Sequence, residues 1–457
     1  MNVKFVVLGG KGILKEGYDS ASGYYDVSGY VEKVANYIAG ICEKNRIRFL
    51  GKKIATSEDE VLDLDTEGAD LLVVLPLSSI HVHWLHALFS KGIPMIVLPA
   101  ALDEVFSHGN VYLPYFLRDL RKIERIMPGF TTAGKLKVVH SRGELAEELR
   151  AYRAYLKVVS SRILCVGSPL VEPLHSRELG YSLVRLLRER FGITVKYVSA
   201  SKFIRLFREF RWDDRCERVL KEVLNRAEEV VEPRREMIKD AVRMYCLLDE
   251  LRRSMGCNAV TVNCLGSQIE GARPRILSET RMTPCLALSL LNDEGIPAAC
   301  EADISSMFNM LVTTWATNSP CFMANPFIFP DGRLILAHCS SPTRRSFEHE
   351  IRDPFSLRSF HGMPVGMSLL VKKEEGAVVT MTGISHLNLS RMIVTVGRIV
   401  RNTRLAPICR TQIEVEVKDV KGILENYEGR HWMVVYGDHR EELKRANELL
   451  GIETMIV

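Results

Sequence analysis

Residues 296–308 read IPAACEADISSMF. The run Ile296 to Cys300 is small and apolar, like a short buried strand, and a second apolar segment begins directly after Asp303. Between the two stand Glu301 and Asp303. Carboxylates at the mouth of a buried strand lose hydration unless something pairs them. One reading is a helix N-terminus, where acidic side chains accept from free N–H groups and complement the dipole. The other is a metal or acid/base site. Residues 296–308 taken alone leave both readings open.

Working outward, short apolar runs alternate with longer helical patterns, which predicts α/β layers with parallel sheets. The strand candidates of the first third are Val3–Leu8, Ile47–Ile54, Leu71–Leu75 and Met95–Leu98. The text LKVVHSRGELAEELRAYRAYLKVVSSRILCVGSP (136–169) reads as an amphipathic helix followed by a fresh strand, Arg162–Val166. A second α/β unit continues with strands near Val195–Val198 and Ala259–Asn263. Helical stretches at Arg215–Val231 and Arg235–Met255 lie between them, parted at Glu232-Pro233. After about residue 318 turn residues crowd in and β-rich runs appear: Leu334–Ala337, Met367–Val371, Ala377–Thr382, Ile393–Val400 and Gln412–Val417. These predict a mainly antiparallel sheet or barrel. A last strand and helix follow in MVVYGDHREELKRANELLGIE. The expected domains are 1–157, 158–317 and 318–457.

The 457 residues suffice for two to four domains, and 47% hydrophobic against 26% charged residues is ordinary for a globular protein. The net charge of +5 is a small difference between 61 basic and 56 acidic residues. The basic run IRLFREFRWDDR (204–215) mixes both signs at helical spacing, so it reads as a solvated helix face rather than a nucleic-acid site. The 11 cysteines form no CxxC pair. Cys165, Cys264 and Cys300 lie inside apolar runs, as free buried cysteines do. No apolar run approaches the ~18 residues of a membrane span. The opening Met1-Asn-Val-Lys begins a strand without a leader pattern. A cytoplasmic protein without a membrane or nucleic-acid partner is the expectation.

Few motifs carry chemistry by themselves. GGKG (9–12) lacks both the dinucleotide fingerprint and the GK[ST] of a P-loop, so it reads as a turn. IHVHWLHAL places His81, His83 and His86 after the strand LLVVLPL, where α/β folds put ligands. No carboxylate or cysteine accompanies these imidazoles, so a substrate-facing or interface role suits His81 and His83 better than a metal site, with a purely structural role the other reading. His338 ends the apolar run LILAH, and His439 stands between a strand and an amphipathic helix. With Glu301 they offer one carboxylate and two imidazoles, a donor set suited to a divalent ion such as Mn²⁺. Spacings along the chain do not say whether they converge.

The stretches AVRMYCLLDELRRSMGCNAVTVNCLG (241–266), TPCLALSLLNDEGIPAACEADISSMFNML (283–311), FMANPFIFPDGRLILAHCSSP (322–342) and GDHREELKRANELLGIE (437–453) resemble the L-fucose/L-arabinose isomerase family in order and rough spacing. The first domain matches that family only in its α/β pattern. The resemblance implies two Rossmann-like parallel-sheet domains and a β-rich, barrel-like C-terminal domain. It also implies an aldose–ketose isomerase with a bound Mn²⁺, a small sugar as substrate and a homo-oligomeric assembly. Its metal ligands carry over to Glu301, His338 and His439. The family's second carboxylate aligns with the MANP stretch, where this chain has Ala324 and Asn325. An amide oxygen can ligate but cannot take a proton at neutral pH. Asn325 is therefore expected to be a weak ligand or substrate contact, and Asp303 an orienter or displaced base. Glu301 would then serve as both ligand and proton carrier, in an enediol proton transfer or a metal-assisted hydride shift. The alternative is a sugar- or sugar-acid-binding protein that keeps the fold without isomerising.

Overall fold

A computed structural model describes residues 1–9, 18–20, 23–77, 82–98, 113–126, 136–139, 141–172, 174, 176–264, 275–405 and 409–457. By internal contacts the chain forms two compact units. One is Met1–Leu156 with Glu448–Gly451, and the other is Lys157–Asn447 with Ile452–Val457. Residues 158–317 share a unit with 318–447 and 452–457.

The first unit is built on a parallel sheet of β1 (Asn2–Leu8), β2 (Arg48–Ala55), β3 (Leu71–Pro76), β4 (Met95–Val97) and β5 (Leu136–Val138), in the order β2-β1-β3-β4-β5. Side chains alternate across a strand. Val3, Phe5 and Val7 thus enter the core under α1 (Val27–Lys44), whereas Val6 and Leu8 join Trp84, Leu85 and Leu88 of α2 (Val82–Phe89). Burial of both faces explains why these strands read as unbroken apolar runs.

The second unit opens with a parallel sheet of β6 (Arg162–Val166), β7 (Thr194–Val198), β8 (Ala259–Val262) and β9 (Ala298–Cys300), in the order β9-β8-β6-β7. Among its helices, α3 (Arg235–Ser254) and α4 (Cys285–Asp293) follow α/β order. From β9 the chain passes through Glu301 and Ala302 into α5 (Ile304–Thr317). Asp303 caps α5, its Oδ1 accepting from the Ser306 N–H at 3.3 Å, and Asn318 ends it at a left-handed φ of 52°. Of the 14 residues of α5, 12 are buried, and its buried polar side chains are satisfied by hydrogen bonds such as Thr313 Oγ1 to Asn309 Oδ1 at 3.2 Å.

The antiparallel part is a closed barrel. Its strands are β10 (Phe322–Ile328), β11 (Arg333–His338), β12 (Val378–Ile384), β13 (Arg391–Asn402), β14 (Thr411–Val417) and β15 (Trp432–Tyr436), in the order β12-β15-β10-β11-β14-β13. Pairing of β12 with β13 closes it, and β16 (Glu453–Ile456) adds parallel to β13. Closure removes the exposed edges of an open sheet. Phe322, Ala324, Leu334, Leu336, Met381, Ile413, Val415 and Trp432 fill the interior. Strand β10 escaped the sequence reading because Pro326 falls inside it. There it is harmless: β15 pairs only with Phe322–Ala324, so the strand is open on one side at Pro326. Helix α5 meets the barrel through Asn309, whose amide donates to Thr382 O at 2.9 Å and accepts from Thr382 Oγ1 at 2.9 Å. The helix expected over Arg215–Val231 ends at Arg226, and Glu229–Val230 instead joins Phe355–Ser359 and Met367–Val371 in a smaller sheet.

One charged cluster is buried beside the barrel. Asp353 accepts from Arg345 Nε at 2.7 Å and from Tyr436 Oη at 2.9 Å, and it pairs with Lys373 Nζ at 3.0 Å. Among the described residues, no helix is long and apolar enough to cross a membrane.

Candidate active site

The mouth of β9 is where the second unit gathers its chemistry. Glu301 and Ala302 both take left-handed backbone, at φ 62° and 51°. Non-glycine residues adopt this conformation only where the surroundings enforce it. Here Ala302 is fully buried and its carbonyl accepts from the Leu170 N–H at 2.9 Å. The turn swings the Glu301 side chain towards the barrel, where it keeps 14% exposure.

Two imidazoles meet it. His338, the last residue of β11, places Nε2 4.0 Å from Glu301 Oε1. His431, directly before β15, places Nε2 3.6 Å from Glu301 Oε2. The two rings stand edge to face, 5.7 Å apart. The thiol of Cys300 also lies within 4.8 Å of the Glu301 and His338 ligand atoms. Nε2 of His431 is buried and makes no hydrogen bond.

Asp303 fixes His431 from behind. Its Oδ2 accepts from His431 Nδ1 at 2.9 Å, while Ser305 Oγ donates to Oδ1 at 2.7 Å and the Ser306 hydroxyl donates to Oδ2. Burial alone would raise the Asp303 carboxyl, yet His431 and the two serines hold it below the usual carboxylate range. It is an acceptor only, so the proton between the two belongs to His431 Nδ1. Burial also works against charge on His431, but Glu301 and Asp303 together raise its pKa. His338 goes the other way: burial pulls it down to about 4, so its ring is neutral near pH 7. Ser340 Oγ, 3.0 Å from His338 Nδ1, sets that ring's orientation.

Asn325 joins the same face. Ala324 pairs with Trp432, so the next step of the register sets Asn325 opposite His431. Its Oδ1 lies 3.4 Å from Arg430 Nε, and Arg430 in turn pairs with the buried Glu172 at 2.6 Å.

Of the residues singled out in the sequence, Asn325 has its side-chain contact with Arg430, next to His431, and the structure brings together Glu301, Asp303 and His338. It does not bring His439. His439 follows β15, whereas His431 precedes it, and a five-residue strand of about 17 Å separates the two. The His439 Nε2 instead donates to Tyr436 O at 2.8 Å. The histidine at Glu301 is His431, which sequence reasoning missed along with Arg430. A signal was present: EGRHWMVVY puts a histidine at the end of an apolar strand, as LILAH does for His338. His81, and most of GGKG, lie outside the described residues. His83 and His86 sit on α2 in the first unit, with His83 exposed and edge-on to Trp84 at 5.7 Å.

The residues around Glu301 fit a divalent cation. Two imidazole nitrogens and a carboxylate form an N₂O donor set. The imidazoles stand 3.6 and 4.0 Å from Glu301, within the span of about 4.2 Å that two donors sharing an ion at about 2.1 Å each can have. Cys300 is the third member of the group it forms with Glu301 and His338, whose ligand atoms all lie within 4.8 Å of one another. The bondless His431 Nε2 is the donor such an ion would use, and the Asp303–His431 pair is the usual support behind a metal-bound imidazole.

No family model matches the chain. A curated relative, the sulfoquinovose isomerase of Clostridium sp. (strain MSTE9), is 21% identical over an alignment of 320 residues that covers 67% of each chain. The chain is a distant relative of a sugar isomerase. This relationship agrees with the likeness to the L-fucose/L-arabinose isomerase family carried by residues 241–266, 283–311, 322–342 and 437–453. The fold is also the one expected from the sequence, with parallel-sheet α/β layers followed by a closed barrel.

Proposed function

We propose that the chain interconverts an aldose and a ketose, with a divalent cation, Mn²⁺ by ligand type, held by Glu301, His338 and His431. The observation that carries this reading is the approach of two imidazole Nε2 atoms to the two oxygens of one carboxylate at a strand mouth, on a left-handed turn. When bound, the cation would polarise the sugar's carbonyl and hydroxyl oxygens as a Lewis acid. Glu301 removes the C2 proton of the aldose and returns it to C1 through an enediol, while a proton passes from O2 to O1. Asp303 holds the His431 Nδ1 proton and so keeps Nε2 aimed at the site. Asn325 and Arg430 present an amide and a guanidinium to substrate oxygens from the barrel side.

The direct test is a panel of aldoses incubated with protein and Mn²⁺ and assayed for ketose. The panel should include sulfoquinovose, because the relative is named for its isomerisation. Absence of turnover across the panel, with the sugars still binding, would favour the sugar-binding alternative, which the amide at Asn325 supports. Deuterium at C2 should wash out into solvent, and its full retention in product would replace the proton route with a hydride shift. The homo-oligomer belongs to the same proposal, and a monomer by light scattering would count against it.

Two further outcomes follow from the proposed ligands. A cation must displace the proton that the raised His431 holds, so binding and protonation compete. Mn²⁺ affinity should rise with pH, by up to about tenfold per unit below that raised pKa, and then level off. Calorimetry in buffers of different ionisation heat would read the released proton, and a flat affinity profile would contradict the role of His431. Asp303→Asn should keep the α5 cap but lose the carboxylate behind His431, weakening Mn²⁺ binding by roughly 10–100-fold with unchanged far-ultraviolet circular dichroism.

A further inference from the structure

We infer that the chain carries a second, separate metal site, for a thiolate-binding cation such as Zn²⁺, made by Cys339, Cys409 and His361 with Cys285 as the fourth donor. Cys339 follows His338 at the end of β11, His361 stands in the single turn Phe360–Gly362, and Cys409 lies just before β14. Three chain segments distant in sequence thus bring their ligand atoms within 4.8 Å of one another. Cys409 Sγ lies 3.4 Å from His361 Nε2. In a tetrahedral zinc site, with Zn–S about 2.3 Å and Zn–N about 2.05 Å, neighbouring sulfur and nitrogen atoms stand about 3.5 Å apart. The spacing already matches that edge.

Cys285, the first residue of α4, packs with Cys339, Phe360 and Cys409 in one small cluster. Cys285 and Cys339 are each 2% exposed. His361 is held for the purpose: it takes left-handed backbone at φ 50°, and its ring stacks on Phe360 at 3.9 Å. All four side chains belong to the second unit.

The contrast with other cysteines is instructive. Cys42 enters an aliphatic core, as an ordinary buried thiol does. Cys264 and Cys300 stand 3.6 Å apart, but the imidazole beside Cys300 is that of His338 in the Glu301 group, which does not include Cys264. Among the described residues, two thiols and an imidazole converge only at Cys339, His361 and Cys409. All described cysteines are free, so a disulfide does not explain the grouping.

Ligand type separates the two sites. Carboxylate with imidazole suits Mn²⁺, whereas thiolate with imidazole selects zinc. The chain would accordingly hold two different cations whose ligands are neighbours in sequence at His338 and Cys339.

The test is a titration of chelator-stripped, reduced full-length protein with Co²⁺, the spectroscopic stand-in for zinc. One equivalent should produce a thiolate-to-cobalt charge-transfer band, which one equivalent of Zn²⁺ then abolishes. The band should persist in Glu301→Gln and disappear in Cys409→Ser. Zinc should also shield Cys339 and Cys409 from alkylation in the wild-type protein, read by mass spectrometry, which needs no folded variant. A wild-type titration without a thiolate band, or alkylation of both cysteines unchanged by zinc, would overturn the site. So would a band lost in Glu301→Gln but kept in Cys409→Ser, which would place the thiolate ligand in the other group, at Cys300.

Discussion

Glu301→Gln is expected to lower kcat/KM for any sugar the protein isomerises by at least about 10³-fold. Positioned general acid–base groups contribute about 10²–10⁴-fold, and this residue is proposed to be a metal ligand as well. Glutamine keeps the length of the side chain and its oxygen, but it has no negative charge and cannot accept a proton at neutral pH. The two losses can be told apart by metal concentration. A defect only in ligation would shrink as Mn²⁺ is raised to saturation, whereas loss of the proton carrier would not. Asn325, an amide, cannot take over as the base. Wild-type turnover in Glu301→Gln at saturating Mn²⁺ would remove Glu301 from the chemistry.

The largest stability effect is expected at Asp353→Ala, about 3–5 kcal/mol, the usual cost of removing one partner from a buried charge pair. Asp353 is 2% exposed and Lys373 6% exposed. Arg345 and Tyr436 complete the cluster, so the substitution strands a buried ammonium and removes the acceptor of two other side chains. The readout is the urea midpoint followed by tryptophan fluorescence. The comparison is Arg185→Ala, whose partner Glu189 and own side chain are both largely in solvent, and which should leave the midpoint where it was. Equal, small shifts in both variants would mean that Asp353 is better solvated than its surroundings indicate.

Much of the architecture was legible because periodicity is a local property. Arg162–Val166 and Met367–Val371 appear with the bounds read from the sequence, and the other expected strands differ at their ends by a residue or two. The two readings of residues 296–308 turn out to be compatible. Asp303 is the helix cap, Glu301 faces the site, and two left-handed residues make the division possible. What was not legible is register. His431 stands across from Asn325 only because the barrel closes with Ala324 on Trp432, a relation between segments 108 residues apart (432 − 324) that no spacing encodes. The resemblance led to His439 because it, too, sits at the boundary of a strand, but at the wrong end of β15. The thiol and imidazole group at Cys339, Cys409 and His361 was invisible for the same reason, since nothing along the chain links residues 339, 361 and 409.

The left-handed turn at Glu301 and Ala302 has an evolutionary corollary. Each such residue costs roughly 1–2 kcal/mol relative to a relaxed conformation, a cost that glycine escapes. Glu301→Gly is therefore a change that selection for folding alone would favour and only selection for activity would resist. A population of variants sorted for heat resistance without any demand for turnover should drift towards glycine at position 301. The same population kept under a growth requirement for the reaction should hold glutamate there, at the expense of a lower melting point.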